Sequence, residues 1–387
     1  MAALEGVDHR SLKLLETEIG VAQLKPQDLT LPSDWYFDPA IFRREHEAIF
    51  YRTWSYQGHA TDLPKPNDFM CGSVADQQVF IIRGADGQLR AFHNVCSHRA
   101  HPLLSGNGNA KRIVCPYHQW CYRSNGRFDR ARGVESIRNW NPRDADLKPV
   151  QLEEYGGLLF VNLDPTATSL RSQASGLLSD IDRMCPGLAD MVRVKRVEQD
   201  VAANWKTLID NNHECYHCSA NHKSLMKWVD YSRKAVWWDD GITFTHTVAA
   251  GDNIAAPFDT GAGATVQDSL FGFIWPNTIP LFFPGSPSLV LFQIIPTGPE
   301  TSRVRHDFYL SSATPTEAEQ QFMIWVTDVL AKEDIELCKR VQQGLHSIGY
   351  RQGVFVIDET RVDISEHHVR WFQQFVRDAL ERQGSEN

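Results

Sequence analysis

The chain has 387 residues, 42% of them hydrophobic and 22% charged, which describes an ordinary globular protein long enough for two to three domains. Its net charge of −9 argues against nucleic acid or an anionic membrane surface as the main partner. The first 20 residues hold no apolar core of a signal peptide and no apolar run approaches a membrane span, so the expectation is a cytoplasmic protein.

Residues 1–50 read as a helical lead-in packed on the catalytic half. Asp38-Pro39-Ala40 opens a helix with proline in its first turn, and Phe42, His46, Ile49 and Phe50 follow at helical spacing. From 51 to 165 the pattern changes to short β-branched and aromatic runs bounded by turns, among them 78–84, 89–95 and 157–164. This is a small all-β domain, expected to present two ligand loops at hairpin tips. The loops carry Cys96 and His98, then Cys115 and His118, as C-x-H followed by C-x-x-H. Two thiolates and two imidazoles fit a Rieske 2Fe–2S centre, in which cysteines hold one iron and histidines the other. Tetrahedral zinc is the alternative, although zinc loops usually repeat one ligand type.

Residues 166–387 form the remaining unit. An amphipathic helix over 169–186 carries Leu170, Leu177, Leu178 and Ile181. The stretch 204–222, NWKTLIDNNHECYHCSANH, is the most unusual of the chain. On a continuous helix Asp210, Glu214 and His217 fall at i, i+4 and i+7, on one face. His222 meets His217 at one point only if the helix ends or bulges between them. Two imidazoles and a distant carboxylate make the facial triad that leaves positions open on iron(II), and a polar helix with unrelated histidines is the alternative. The third ligand has five candidates: Asp328, Glu333, Asp334, Glu336 and Asp358. Asp210 either orients a ligand histidine or pairs with a base. Cys215 and Cys218 form a C-x-x-C motif that suggests redox or zinc chemistry, or else they are reduced thiols like Cys71, Cys121, Cys185 and Cys338. Strands are expected at 242–248, 271–277, 288–296 and 303–312, cut short by prolines 276, 280, 284 and 287. A long helix over 316–348 turns Phe322, Trp325, Val329 and Leu330 inward. The last helix buries Val369, Phe372, Val376 and Ala379, with Asp363 or Ser365 as its cap. The fold class is α+β.

Together the two clusters resemble the large (alpha) subunit of the Rieske non-haem iron oxygenases. The first matches that family down to CPYHQW, the second in its acid-x-x-H-x(4)-H, and the resemblance runs from about residue 35 to 380. It implies a helix-grip catalytic domain beside the Rieske domain. Cys96, His98, Cys115 and His118 would hold the 2Fe–2S cluster, and His217 and His222 the mononuclear Fe(II). Asp334 is the third ligand by resemblance, because KEDIELCKRVQQGL is similar to the segment that closes the family's triad. Glu214 is implied as the carboxylate that links a cluster histidine to the iron site across a subunit boundary, which requires an oligomer; the family suggests a homotrimer. Glu214 stands where many members have aspartate, and Ala100 where many have glycine. His213 falls outside the motif and reads as a residue behind the ligands or at solvent.

No dinucleotide motif opens a helix, and the GADG at 84–87 is a turn, so electrons from NAD(P)H are expected through a separate flavin/ferredoxin-type reductase. Segments 210–218, 349–361 and 364–373 resemble the branch that oxidises quaternary ammonium compounds such as glycine betaine, carnitine and stachydrine. The implied reaction is O2-dependent N-demethylation or hydroxylation. A trimethylammonium head suits aromatic faces; Trp228, Tyr231, Trp237, Trp238, Phe271, Phe273 and Trp275 are the candidates. An arginine or histidine would hold a substrate carboxylate. Alternatives are an aromatic-ring hydroxylating dioxygenase or aryl O-demethylase, and a non-catalytic Rieske electron carrier.

Overall fold

The computed structural model describes residues 25, 28–227, 229–240, 242–250, 266, 268–358, 360–361 and 364–386, with backbone alone for 229–240, 245–250, 268 and 383–386. The start of the lead-in (1–24), Trp228, the side chains of Tyr231, Trp237 and Trp238, and the expected cap Asp363 lie outside the described residues. Among the described residues no helix is long and apolar enough to cross a membrane.

Asp38 caps the helix Pro39–Ala48, its carboxylate accepting the Ala40 N–H at 2.6 Å and so satisfying a donor that the first turn leaves unpaired. This helix turns Glu45 inward, where it is fully buried. Glu45 accepts hydrogen bonds from Trp205 Nε1 at 2.8 Å and Lys206 Nζ at 2.5 Å. A charge pair without water holds only while both partners are present, so it pins the lead-in to the segment that carries the candidate iron ligands.

Seven antiparallel strands between residues 55 and 162 form the first sheet. Their order is Ser55–His59, Leu158–Asn162, Pro149–Tyr155, Leu89–His93, Gln77–Arg83, Asp68–Val74 and Asn107–Asn109. A three-stranded sheet of Ile113–Val114, Cys121–Tyr122 and Phe128–Arg130 stands beside it. One expectation is corrected here. Only the second ligand loop is a hairpin tip, between Ile113–Val114 and Cys121–Tyr122. The first leaves Leu89–His93 and crosses to Asn107–Asn109, which pairs with Asp68–Val74 instead.

The second sheet also has seven antiparallel strands, in the order Val192–Val201, Thr301–Leu310, Ser288–Gly298, Thr278–Phe282, Asp268–Ile274, Thr243–Ala250 and Val229–Asp240. Pro280 sits inside a strand rather than cutting it. The ladder to Asp268–Ile274 pairs Phe271 with Leu281 and Ile274 with Thr278 but skips Pro280, so no N–H is missed there. Side chains alternate between the two faces. Phe273, Leu281, Val290 and Phe308 join the core under the long helices, while Ile274, Phe282, Leu289, Leu291 and Tyr309 pack with Leu177, Leu178 and Ile181 of Ser175–Met184. The long helices are Glu317–Trp325, running through a π-helical turn Val326–Leu330 into Ala331–Gly344, and His367–Glu386. The architecture is α+β: an all-β unit beside an antiparallel sheet gripped by long helices. The two sheets are joined at buried Asp307, which accepts from Tyr56 OH at 2.6 Å and from Arg196 Nε at 2.6 Å.

Candidate metal centres and active site

The two ligand loops of the first domain share one backbone plan. Cys96 N–H donates to His101 O at 2.9 Å and Cys115 N–H to Trp120 O at 2.8 Å. Ala100 N–H returns to Cys96 O, and Gln119 N–H to Cys115 O, each at 3.0 Å. Both returning residues are left-handed, Ala100 at φ +56° and Gln119 at φ +58°. That explains why glycine suits position 100, since a Cβ is disfavoured there. Cys96 and Cys115 belong to an apolar cluster with Phe80, Phe92 and Tyr122, and Tyr122 OH lies 3.2 Å from Cys96 Sγ. His98 and His118 are exposed with ring centroids 4.7 Å apart, and His98 lies flat on Trp120 at 4.8 Å. Buried sulfurs under paired, outward imidazoles are what a Rieske cluster requires.

The second site forms where a helix stops. Trp205–Asn212 ends as the His213 N–H takes the carbonyls of Ile209 and Asp210. The chain turns, Glu214 accepts the His217 N–H at 3.1 Å, and the short helix Cys218–Asn221 delivers His222. Cys215 and Cys218 are joined in a disulfide across this turn, which corrects the expectation of reduced thiols.

His217 Nε2 and His222 Nε2 are 3.0 Å apart, and Asp334 Oδ1 lies 2.9 Å from His222 Nε2 and 3.3 Å from His217 Nε2. Ligand atoms about 2.1 Å from one ion and at right angles to each other are separated by about 3.0 Å. Three such separations describe one face of an octahedron, so these side chains fit a facial iron site with open positions opposite. Cys218 also lies close to both imidazoles, but its sulfur is bonded to Cys215 and offers no thiolate. Each imidazole is braced through its other nitrogen: His217 Nδ1 donates to Glu214 at 2.5 Å and His222 Nδ1 to Glu333 at 2.8 Å. That fixes the tautomer with Nε2 free to bind a metal. Burial alone would lower the His217 pKa, yet the bonds to Asp334 and Glu214 raise it to about 9. Burial would raise Asp334, but the two imidazoles hold it down to about 2.

Sequence reasoning missed two parts of this site. Glu333, one of the five candidates for the third ligand, instead braces His222, and Asn211, which donates to Asp334 Oδ1 at 2.8 Å, carries no motif. Asp210, expected among the catalytic residues, is not brought to the site. The helix ends before Glu214, so the shared face does not exist, and Asp210 points away to accept the Tyr36 hydroxyl at 2.6 Å. Burial pushes its carboxyl pKa up to about 7.

Beside the iron site is a pocket lined by Glu214 and Asp334, by the aromatic rings of Phe244, Phe271 and Phe283, and by His213, His367, His368 and Ser365. Of the expected aromatics Phe271 is in this lining, while Phe273 and Trp275 are buried in the core. Among the described residues no lysine or arginine lines it.

A cluster domain with buried cysteines and outward histidines, joined to a two-histidine, one-carboxylate site on a helix-grip frame, defines an iron oxygenase. The comparisons agree. Residues 53–141 match the Rieske [2Fe-2S] domain, and residues 188–382 match the catalytic domain of the ring hydroxylating alpha subunit. The carnitine monooxygenase oxygenase subunit of Escherichia coli strain K12 is 34% identical over 355 residues, 91% of this chain and 94% of that one. The chloroplastic choline monooxygenase of Spinacia oleracea is 27% identical, over 92% of this chain and 80% of that one. The crystal structure of the quaternary ammonium Rieske monooxygenase CntA with L-carnitine superposes with a TM-score of 0.81 at 31% identity, covering 92% of this chain and 97% of that one. The chain belongs to the Rieske non-haem iron oxygenases. It is an oxidoreductase whose resident groups are a 2Fe–2S cluster and a mononuclear iron.

Proposed function

We propose that this chain is the oxygenase component that oxidises a small quaternary ammonium compound, with carnitine or a close analogue as substrate rather than glycine betaine or stachydrine. The observation that carries the reading is the pocket: aromatic faces and two carboxylates, with no described lysine or arginine, beside three metal donors in facial geometry. Such a lining attracts a trimethylammonium head. The relatives named for carnitine and choline support the same substrate class. Cys96, His98, Cys115 and His118 hold the cluster; His217, His222 and Asp334 hold the iron.

When bound, the iron supplies the open coordination positions at which dioxygen is activated, and the cluster supplies electrons singly. The residues of the chain do the rest. Glu214 and Glu333 keep Nδ1 protonated and Nε2 turned to the iron, and Asn211 steadies the Asp334 carboxylate. Glu214 hydrogen-bonds His217 and carries the electron path toward a cluster histidine of a neighbouring subunit, so the working unit is an oligomer, read here as a homotrimer. Electrons come from a separate NAD(P)H-dependent reductase of the flavin/ferredoxin type. Overall, one atom of O2 enters a C–H bond beside the ammonium nitrogen and the other leaves as water, using two electrons and two protons. The carbinol then breaks its C–N bond, releasing formaldehyde and an amine if a methyl is attacked, or an aldehyde and trimethylamine if the methylene is attacked.

The test is a turnover assay with a reductase partner on L-carnitine, γ-butyrobetaine, choline, glycine betaine, stachydrine and a methoxyarene, measuring formaldehyde and trimethylamine together. Product from carnitine or γ-butyrobetaine is expected. A diol from an arene, or formaldehyde from the methoxyarene alone, would overturn the reading.

A further inference from the structure

We infer that His213 sets specificity in this pocket by receiving the carboxylate of a zwitterionic quaternary ammonium substrate, an inference that rests on the substrate class proposed above. His213 follows the helix Trp205–Asn212, directly precedes Glu214 and lines the pocket. It is only 4% exposed, and neither ring nitrogen has a hydrogen-bond partner. Buried polar atoms are nearly always paired, and leaving one unpaired is costly, so an orphaned imidazole in a pocket wall marks a place for a ligand atom. Its surroundings supply no substitute. Phe244, Phe273 and Phe372 meet it edge to face, at centroid distances of 4.5, 4.3 and 5.5 Å.

The pocket also needs such a group. A carboxylate attached to the substrate is repelled by Glu214 and Asp334, and no described lysine or arginine stands in the lining to receive it. Around it in the wall, Asn211 donates to Asp334, His367 Nδ1 pairs with Ser365 Oγ, and His368 lies stacked on Phe244. Burial keeps the His213 imidazole neutral, with one N–H to give. A single N–H bond to a carboxylate is charge-assisted, strong enough to select zwitterions over plain cations. The sequence offered the residue but no reason for it, because position 213 belongs to neither ligand motif.

The experiment measures Kd calorimetrically for L-carnitine, γ-butyrobetaine and choline, without reductant, on metal-loaded wild type, His213→Leu and His213→Asn, with a thermal midpoint for each. Replacement by leucine is expected to weaken the two carboxylate compounds by about ten- to fiftyfold relative to choline, the loss of one charge-assisted hydrogen bond. Asparagine keeps an N–H and should recover most of that selectivity at an unchanged midpoint. Equal weakening of all three ligands, or none, would overturn the role of His213 and reduce it to packing. Failure of the wild type to bind any of the three would overturn the substrate class, and the inference with it.

Discussion

At the cluster loops the sulfurs are inside and the imidazoles outside: Cys96 and Cys115 are each 2% exposed, while His98 and His118 stand at the surface with no carboxylate bonded to either among the described residues. At the iron site the imidazoles are inside, and each is gripped by a carboxylate through Nδ1. The same side chain is thus used in two opposite ways. On the proposed roles, a histidine that passes electrons across a boundary keeps its outer nitrogen open for a bond from elsewhere, and one that holds a metal for chemistry is locked from within. Glu214 belongs to both arrangements, since it grips His217 here and is the carboxylate proposed to reach a neighbour's cluster.

The sharpest way to separate the two sites is Asp334→Ala. Loss of one corner of the triad should abolish turnover and remove the mononuclear iron, while the visible spectrum of the cluster survives; iron retained in full would move the third ligand elsewhere. Next in size is Glu214→Gln. An amide oxygen still accepts the His217 Nδ1–H, so both metals should stay while steady-state turnover falls by at least about a hundredfold, read by metal analysis beside activity. Wild-type turnover in this variant would remove Glu214 from the electron path. Glu333→Gln has the same bracing geometry without the proposed bridge, so turnover at full iron loading should hold and iron affinity should fall by no more than about tenfold, as measured by chelator competition. If it matches Glu214→Gln in turnover, the contrast between brace and bridge is lost. The smallest effect belongs to the cluster loop: Ala100→Gly relieves a left-handed alanine and should add about 1 kcal/mol, seen as a thermal midpoint about 2 °C higher at unchanged turnover.

The candidate ligands were legible because metal chemistry constrains residue type and spacing together. C-x-H with C-x-x-H picked out four residues on two loops of one backbone plan, and E-x-x-H-x(4)-H picked out Glu214, His217 and His222, which meet at one bend. Helix continuity was not legible. Asn211-Asn212 is a weak terminator, and a helix carried through it put Asp210 on the wrong face; in the structure the helix stops one residue later, at His213. The break that the two histidines require comes before both of them, at His213, with the short helix Cys218–Asn221 between them, and the π-helical turn lies at Val326–Leu330, just before Asp334. The bracing role of Glu333 and the buried pairing of Glu45 were not legible for a common reason. Charged residues on amphipathic helices are usually solvated, and only long-range contacts, to His222 and to Lys206, set these two apart.

The Glu45–Lys206 contact has a practical consequence. A shortened protein that begins after residue 50 would strip the counter-charge from a fully enclosed ammonium two turns ahead of the metal-binding bend. An unmatched ion in an apolar interior costs about 3–5 kcal/mol, and this one, Lys206, lies in the catalytic half. Such a fragment should still assemble its iron–sulfur unit, yet fail to retain the second metal. The amino-terminal arm is therefore a keystone of the oxygen-activating site, although it supplies none of its ligands.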